Sequence, residues 1–233
     1  GEMALWKNGT CTVCSTAAGP AFEGTGLYQG MPAEQGAINM VSCSPEGRIS
    51  YSVIGEGSAR GICGSGIIDA LAVFRTLGFV DETGRIIVEE DHPELLTEIN
   101  GVPALAIGDS GVVVTQQDIR QIQLAKAAIA AGVQTLLYRT ETRPSEIEKL
   151  YLAGGFGNCV HPKSAVSVGL FPALWLDRIE VIGNGAGAGA SLLMLDCSIR
   201  ESQEQLLASV SEITLSSDSY FMEAYVEQMM FEE

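Results

Sequence analysis

Leu150-Tyr151-Leu152-Ala153-Gly154-Gly155-Phe156-Gly157-Asn158 is the stretch from which the fold can be read. Four apolar residues, long enough for a buried strand, break into three glycines within four positions, so the backbone approaches something closely just past a strand's carboxyl end. In open α/β sheets, ligands sit at that end. A second transition of the same kind follows, from Ile179-Glu180-Val181-Ile182 into Gly183-Asn184-Gly185-Ala186-Gly187-Ala188-Gly189. Either one alone reads as well as a tight turn with close helix packing; two around one helical segment point to a nucleotide-sized pocket.

Ahead of this stretch the sequence predicts the longest helix. Thr115-Gln116-Gln117-Asp118 resembles a capping box, with an acid at its fourth position, and opens a helix running to about Tyr138. Ile119, Ile122, Ala125, Ile129 and Val133 form its buried stripe, and Gln123 and Lys126 lie near one another on a flanking face. Further upstream, Gly61-Ile62-Cys63-Gly64-Ser65-Gly66 opens a helix closed by Gly78, and a glycine-rich helix start such as Gly61, Gly64 and Ser65 offers free amides to an anion. A tight loop packing a helix on a sheet explains the same residues equally well. Asn8-Gly9 marks a hairpin between residues 2–6 and 10–15, and a second hairpin is expected over 37–42 and 48–54. Short strands and a Pro93-led helix fill 79–114; a helix is expected over 161–169, another from Ala186 to about Cys197, a strand over 212–215 and an amphipathic helix over 217–230. Hairpins followed by alternating helix and strand imply an α/β fold with a mixed sheet and helices on its faces.

Composition limits the function. A net charge of −16 argues against nucleic acid and anionic membrane surfaces, both of which need a basic footprint. A bound nucleotide would therefore rely on neutral backbone donors and a metal ion. The longest apolar stretch, 125–138, is too short to cross a bilayer, and no leader pattern is seen, so a cytoplasmic protein is expected. Six cysteines in 233 residues are no disulfide scaffold. Cys11 and Cys14 have Cys-x-x-Cys spacing, but no second pair completes a metal site, and in a strand positions three apart point to opposite faces.

Five segments together carry a resemblance: Ser15-Thr16-Ala17-Ala18-Gly19-Pro20-Ala21-Phe22-Glu23-Gly24, residues 61–66, Gln123-Leu124-Ala125-Lys126-Ala127-Ala128-Ile129, Leu152 through Asn158, and residues 183–190. In combination they are similar to the C-terminal region of the reductive activators of corrinoid proteins, which belong with acetate and sugar kinases, Hsp70 and actin. The resemblance implies a single C-terminal ATPase lobe of ribonuclease-H-like, actin/Hsp70-type fold with inserted segments over 1–233, part of a longer chain whose first lobe and 2Fe–2S domain lie upstream. It implies ATP and Mg²⁺ as ligands, and a corrinoid protein whose Co(II) is reduced to Co(I) for methyl transfer, in anaerobic one-carbon metabolism or methoxy-aromatic demethylation. A homodimer is left open.

Carried over by residue, Gly154, Gly155 and Phe156 match the adenosine motif. Gln123 and Lys126 match helix positions flanking ribose and adenine, and residues 183–189 resemble a connecting helix between lobes. Glu23, inside a motif loop, and Glu2, at the end of an incomplete phosphate-loop pattern, are the acids on the Mg²⁺ and phosphate side. Three alternatives stay open at this level. One is a small-molecule kinase of the same superfamily, and another is a non-catalytic interaction module. The third is a dinucleotide oxidoreductase, suggested by Gly183-x-Gly185-x-x-Ala188 after a strand.

Overall fold

A computed structural model describes residues 1–87, 95–196 and 198–231. The chain opens with β1 (Glu2–Lys7) and β2 (Thr10–Ser15), a hairpin whose Asn8 and Gly9 take φ of 52° and 81°, as a two-residue primed turn requires. A 3-10 turn (Ala21–Glu23) leads to β3 (Ala37–Cys43), β4 (Ile49–Val53) and β5 (Gly61–Ile62), with β4 antiparallel and β5 parallel to β3. α1 (Gly64–Thr76) follows. Gly78, at φ 81°, ends it in a Schellman arrangement, in which the Phe79 amide donates to the Phe74 carbonyl.

β6 (Leu96–Ile99), β7 (Val102–Ala106) and β8 (Val113–Thr115) form an antiparallel meander feeding α2 (Gln116–Arg139). The expected Pro93-led helix falls on 88–94, outside the described residues, and a strand follows at once. The Thr115 hydroxyl accepts from the Asp118 amide while Asp118 accepts from the Thr115 amide, so the capping box is present with aspartate in the usual glutamate place. Next come β9 (Leu150–Ala153), α3 (Gly154–Cys159), α4 (Pro162–Ser167), β10 (Ile179–Gly183), α5 (Gly185–Leu195), α6 (Ile199–Ala208), β11 (Val210–Ile213) and α7 (Ser219–Glu227). The helix expected over 161–169 is α4, while α3, which starts at Gly154 itself, and α6 have no counterpart in the sequence expectations.

Parallel and antiparallel pairing are mixed as expected, but they are spread over four small sheets among the described residues. β11 adds parallel to β2, and β9 pairs with β10 in a parallel two-stranded sheet of its own. The core does not gather at β9. It lies between α1, the first half of α2 and the strands against them, through Ile38, Ile67, Leu71, Phe74, Leu105 and Ile122. Every residue of α1 from Gly64 to Phe74 is buried. α5, by contrast, buries none of its side chains, and Met194 and Leu195 are 84% and 85% exposed.

Candidate functional site

A cleft of about 240 Å³ lies between the start of α1 and the glycine turn after β9. Cys63, Gly64 and Ser65 form one wall, and Gly155 and Cys159 of α3 the other. Glu23 and Phe22 from the 3-10 turn close one end, together with Pro32 and Ala33. Thus the structure brings Glu23, Gly64, Ser65 and Gly155, all singled out in the sequence, to one place over a chain separation exceeding a hundred residues. Gly154 supplies the turn: its φ of 88° redirects the chain from β9 into α3, a conformation that costs an L-residue strain. Beside it, a side chain on Gly155 would meet nothing within 4 Å, so the cleft is open at this point.

The α1 wall is built differently. A Cβ on Gly64 would fall inside the van der Waals envelope of the Phe22 carbonyl oxygen, so only glycine lets the helix start seat on the 3-10 turn. Gly61 is packed in the same manner against the Gln29 carbonyl and Met31, and does not line the cleft. Ser65 Oγ donates to the Asn39 carbonyl at 2.9 Å, which fixes the serine, and the Cys63 sulfur lies 3.4 Å from that hydroxyl. No side chain caps the start of α1. Its first residues, Gly64 and Ser65, line the cleft at the positive end of the helix, the end that favours an anion.

Gln123 and Lys126 do not line this cleft; they lie side by side on α2, against the segment that follows α7. Lys126 is fully buried; its Nζ donates to the Gln228 carbonyl at 2.7 Å and the Met230 carbonyl at 2.6 Å and sits 5.5 Å above the Phe231 ring. Gln123 donates to the Thr83 and Met229 carbonyls and accepts from Arg120. The physical reason is that α2 is apolar on more than one face. Ala127, Ala128, Ala130 and Ala131 are buried beside the Ile119 and Ile122 stripe, so a lysine at 126 is enclosed and must find acceptors. The carbonyls past the end of α7 supply them, at the negative end of that helix. Phe231, whose ring is also stacked under Arg75 with the guanidinium carbon 4.9 Å from its centroid, completes this strap.

Glu2 is separated from Glu23: it stands on a shallow groove along β1 and β2 with Met3, Cys14 and Glu212. Cys14 is buried there and its thiol is pushed up to about 11 by loss of solvent, so it remains protonated; Cys11 is half-buried. Among the described residues no group of three or more His, Cys, Asp or Glu could hold a metal ion, and no helix is long and apolar enough to cross a membrane. Cys63, inside the 61–66 motif, and Cys159, just past the glycine turn, were not singled out in the sequence as site residues; their place in the fold puts both on the cleft.

A family model described as the C-terminal domain of RACo, the ASKHA domain, matches residues 1–233. The corrinoid activation enzyme RamQ of Eubacterium limosum is 36% identical over 244 residues, covering 99% of this chain and 41% of the relative. A Co(II) methylated amine-specific corrinoid protein reductase of Methanosarcina barkeri is 30% identical over 220 residues, covering 84% of this chain and 37% of the relative. Among solved structures, a reductive activator for corrinoid, iron-sulfur protein superposes with a TM-score of 0.87 at 32% identity, over 99% of this chain and 38% of that one. The chain spans about two-fifths of the length of the relatives it matches.

Proposed function

The chain belongs to the family of RACo C-terminal ASKHA domains, and on that premise we propose that it is the ATP-binding part of a reductive activator that drives Co(II) to Co(I) in a corrinoid protein, in readiness for methyl transfer. The observation that carries the reading is the cleft, where the uncapped start of α1, the Glu23 carboxylate and the open glycine turn at Gly154 and Gly155 converge. These groups fit a nucleotide held with Mg²⁺. The α1 amides suit a phosphate oxygen, Glu23 supplies the single carboxylate that Mg²⁺ with phosphate oxygens requires, and Gly154, Gly155 and Phe156 serve the adenosine side. When bound and hydrolysed, the nucleotide supplies the free energy that an uphill electron transfer needs.

The residues of this chain contribute in two ways. Gly64 and Ser65, fixed by Phe22 and Asn39, hold one wall in place, while Gly155 on the α3 wall leaves open space for a ligand. A nucleotide that binds the closed arrangement more tightly than the open one shifts the balance between them, and by linkage changes affinity for the protein partner. Gln123, Lys126 and Gly61 enter this scheme only by holding α2, the C-terminal strap and β5 in place. We place the 2Fe–2S electron source in another part of the protein, the site of action in the cytoplasm, and the acidic surface of this domain toward a protein partner.

The test is ATP hydrolysis by the full-length protein with and without its Co(II) corrinoid protein, cobalt reduction being followed by absorbance in the same cuvette. Turnover stimulated by the corrinoid protein, with ATP-dependent appearance of Co(I), is expected. Hydrolysis indifferent to the corrinoid protein but stimulated by a sugar or carboxylate would instead make this a kinase, and absence of nucleotide binding would leave an interaction module.

A further inference from the structure

Beneath the cleft, where α1, β3 and α4 meet, lies a buried carboxyl for which nucleotide binding has no use. Asp69 is 4% exposed. Its Oδ2 accepts from the Val41 amide at 3.3 Å, while its Oδ1 has no hydrogen-bond partner, and the Oδ1 of Asn39, two residues before Val41 on β3, has none either. Two buried acceptor oxygens without a donor are each costly to leave so. A proton kept on the carboxyl turns one acceptor into a donor, and burial favours the neutral form in any case.

The position gives this proton a consequence. Asp69 stands one helical turn beyond Ser65, and the two bind successive parts of β3, Ser65 through the Asn39 carbonyl and Asp69 through the Val41 amide. On the other side it is faced by the Ser164 hydroxyl and the His161 imidazole, from the start of α4, which directly follows α3 with its cleft residues Gly155 and Cys159. Burial raises the Asp69 carboxyl above the ordinary aspartate range, the Val41 hydrogen bond, the nearby Ser164 hydroxyl and the charge of His161 pulling the other way. β3 contributes the Val41 N–H. The two walls of the cleft are thus joined through one carboxyl.

We propose that Asp69 keeps its proton in the folded domain and acts as a neutral positioning residue holding α1 against β3 and α4, so that the cleft loses nucleotide affinity as this carboxyl ionises. The affinity clause rests on the nucleotide reading above; the protonation does not. Because the folded-state value is raised, the stabilisation is complete at acid pH, below the ordinary aspartate range, and is lost as pH rises through the folded-state value.

Asp69→Asn, isosteric and unable to ionise, tests this in the full-length protein. The thermal midpoint of the wild type should fall with rising pH relative to D69N, whose profile is flatter; parallel profiles, or a uniform loss in D69N, would overturn the protonated state. Ser164→Ala, which removes a hydroxyl that favours the ionised form, should move the fall to higher pH, and an unmoved fall would count against it too. Affinity for a non-hydrolysable ATP analogue should weaken by about tenfold on ionisation in the wild type and by less than about twofold in D69N. Equal weakening in both would remove the coupling to the cleft. Absence of analogue binding at every pH would defeat the nucleotide reading while the midpoint profiles still decide the state of Asp69.

Discussion

The two glycine turns that wall the cleft are alike in sequence and opposite in structure. At residues 61–66 the glycines are buried, and the space a side chain would occupy is already filled by backbone: the Phe22 carbonyl at Gly64, the Gln29 carbonyl at Gly61. At residues 154–157 the first two glycines are exposed, Gly154 serves a left-handed turn, and Gly155 faces open space. One turn spends its glycines on packing and fixes α1; the other spends them on access. The same contrast extends to the helices that follow, since α1 is buried along most of its length and α5, after the third glycine run, buries nothing. A glycine-rich loop after a strand thus does not by itself announce a ligand, and what separates the cases is whether the missing Cβ is replaced by protein or by space.

Substitutions can break this contrast. The largest effect is expected at Gly64→Val, where the new side chain meets backbone that cannot yield; a loss of more than about 3 kcal/mol is expected, read as failure to accumulate folded protein or a collapsed urea midpoint. Lys126→Met comes next. It keeps the volume but leaves the Gln228 and Met230 carbonyls without their buried donor, so the C-terminal strap should loosen at a cost of roughly 2 kcal/mol, seen as faster hydrogen exchange in α7 with nucleotide affinity unchanged. A selective loss of affinity with α7 still protected would instead return Lys126 to the nucleotide site. The smallest effect is expected at Gly189→Ala: no atom lies within 4 Å of the added methyl, so α5 should gain about 0.5–1 kcal/mol. A drop in thermal midpoint in the full-length protein would mean that another part of the molecule covers α5.

Much of the fold was readable where local chemistry decides it. Asn8-Gly9 dictated its hairpin, Thr115 with Asp118 the start of α2, and Gly78 the end of α1. Asn100-Gly101, the turn between β6 and β7 with φ of 53° and 80°, carries the same dipeptide and would have been equally legible as a hairpin. The full burial of Lys126 was not legible for a physical reason: a stripe of isoleucines marks one buried face, but the alanines around it let neighbouring elements close over the rest of α2, and alanine carries little periodic signal. The cleft was out of reach of periodicity altogether. Glu23, Ser65 and Gly155 meet through tertiary packing, so only the combined motifs, read as a family resemblance, put them in one site. Asp69 gave no sign in the sequence, where an acid in the middle of GSGIIDALAVFRT reads as one polar position on an apolar helix.

The nucleotide enters the cleft at the open turn, and Gly155→Val tests this most directly. The substitution has room in the fold and fills the cleft instead. Titration calorimetry with an ATP analogue, alongside thermal unfolding of the same full-length preparation, should give an unchanged midpoint and binding weakened by at least about a hundredfold, close to 3 kcal/mol. Undiminished affinity in a folded Gly155→Val protein would contradict the account.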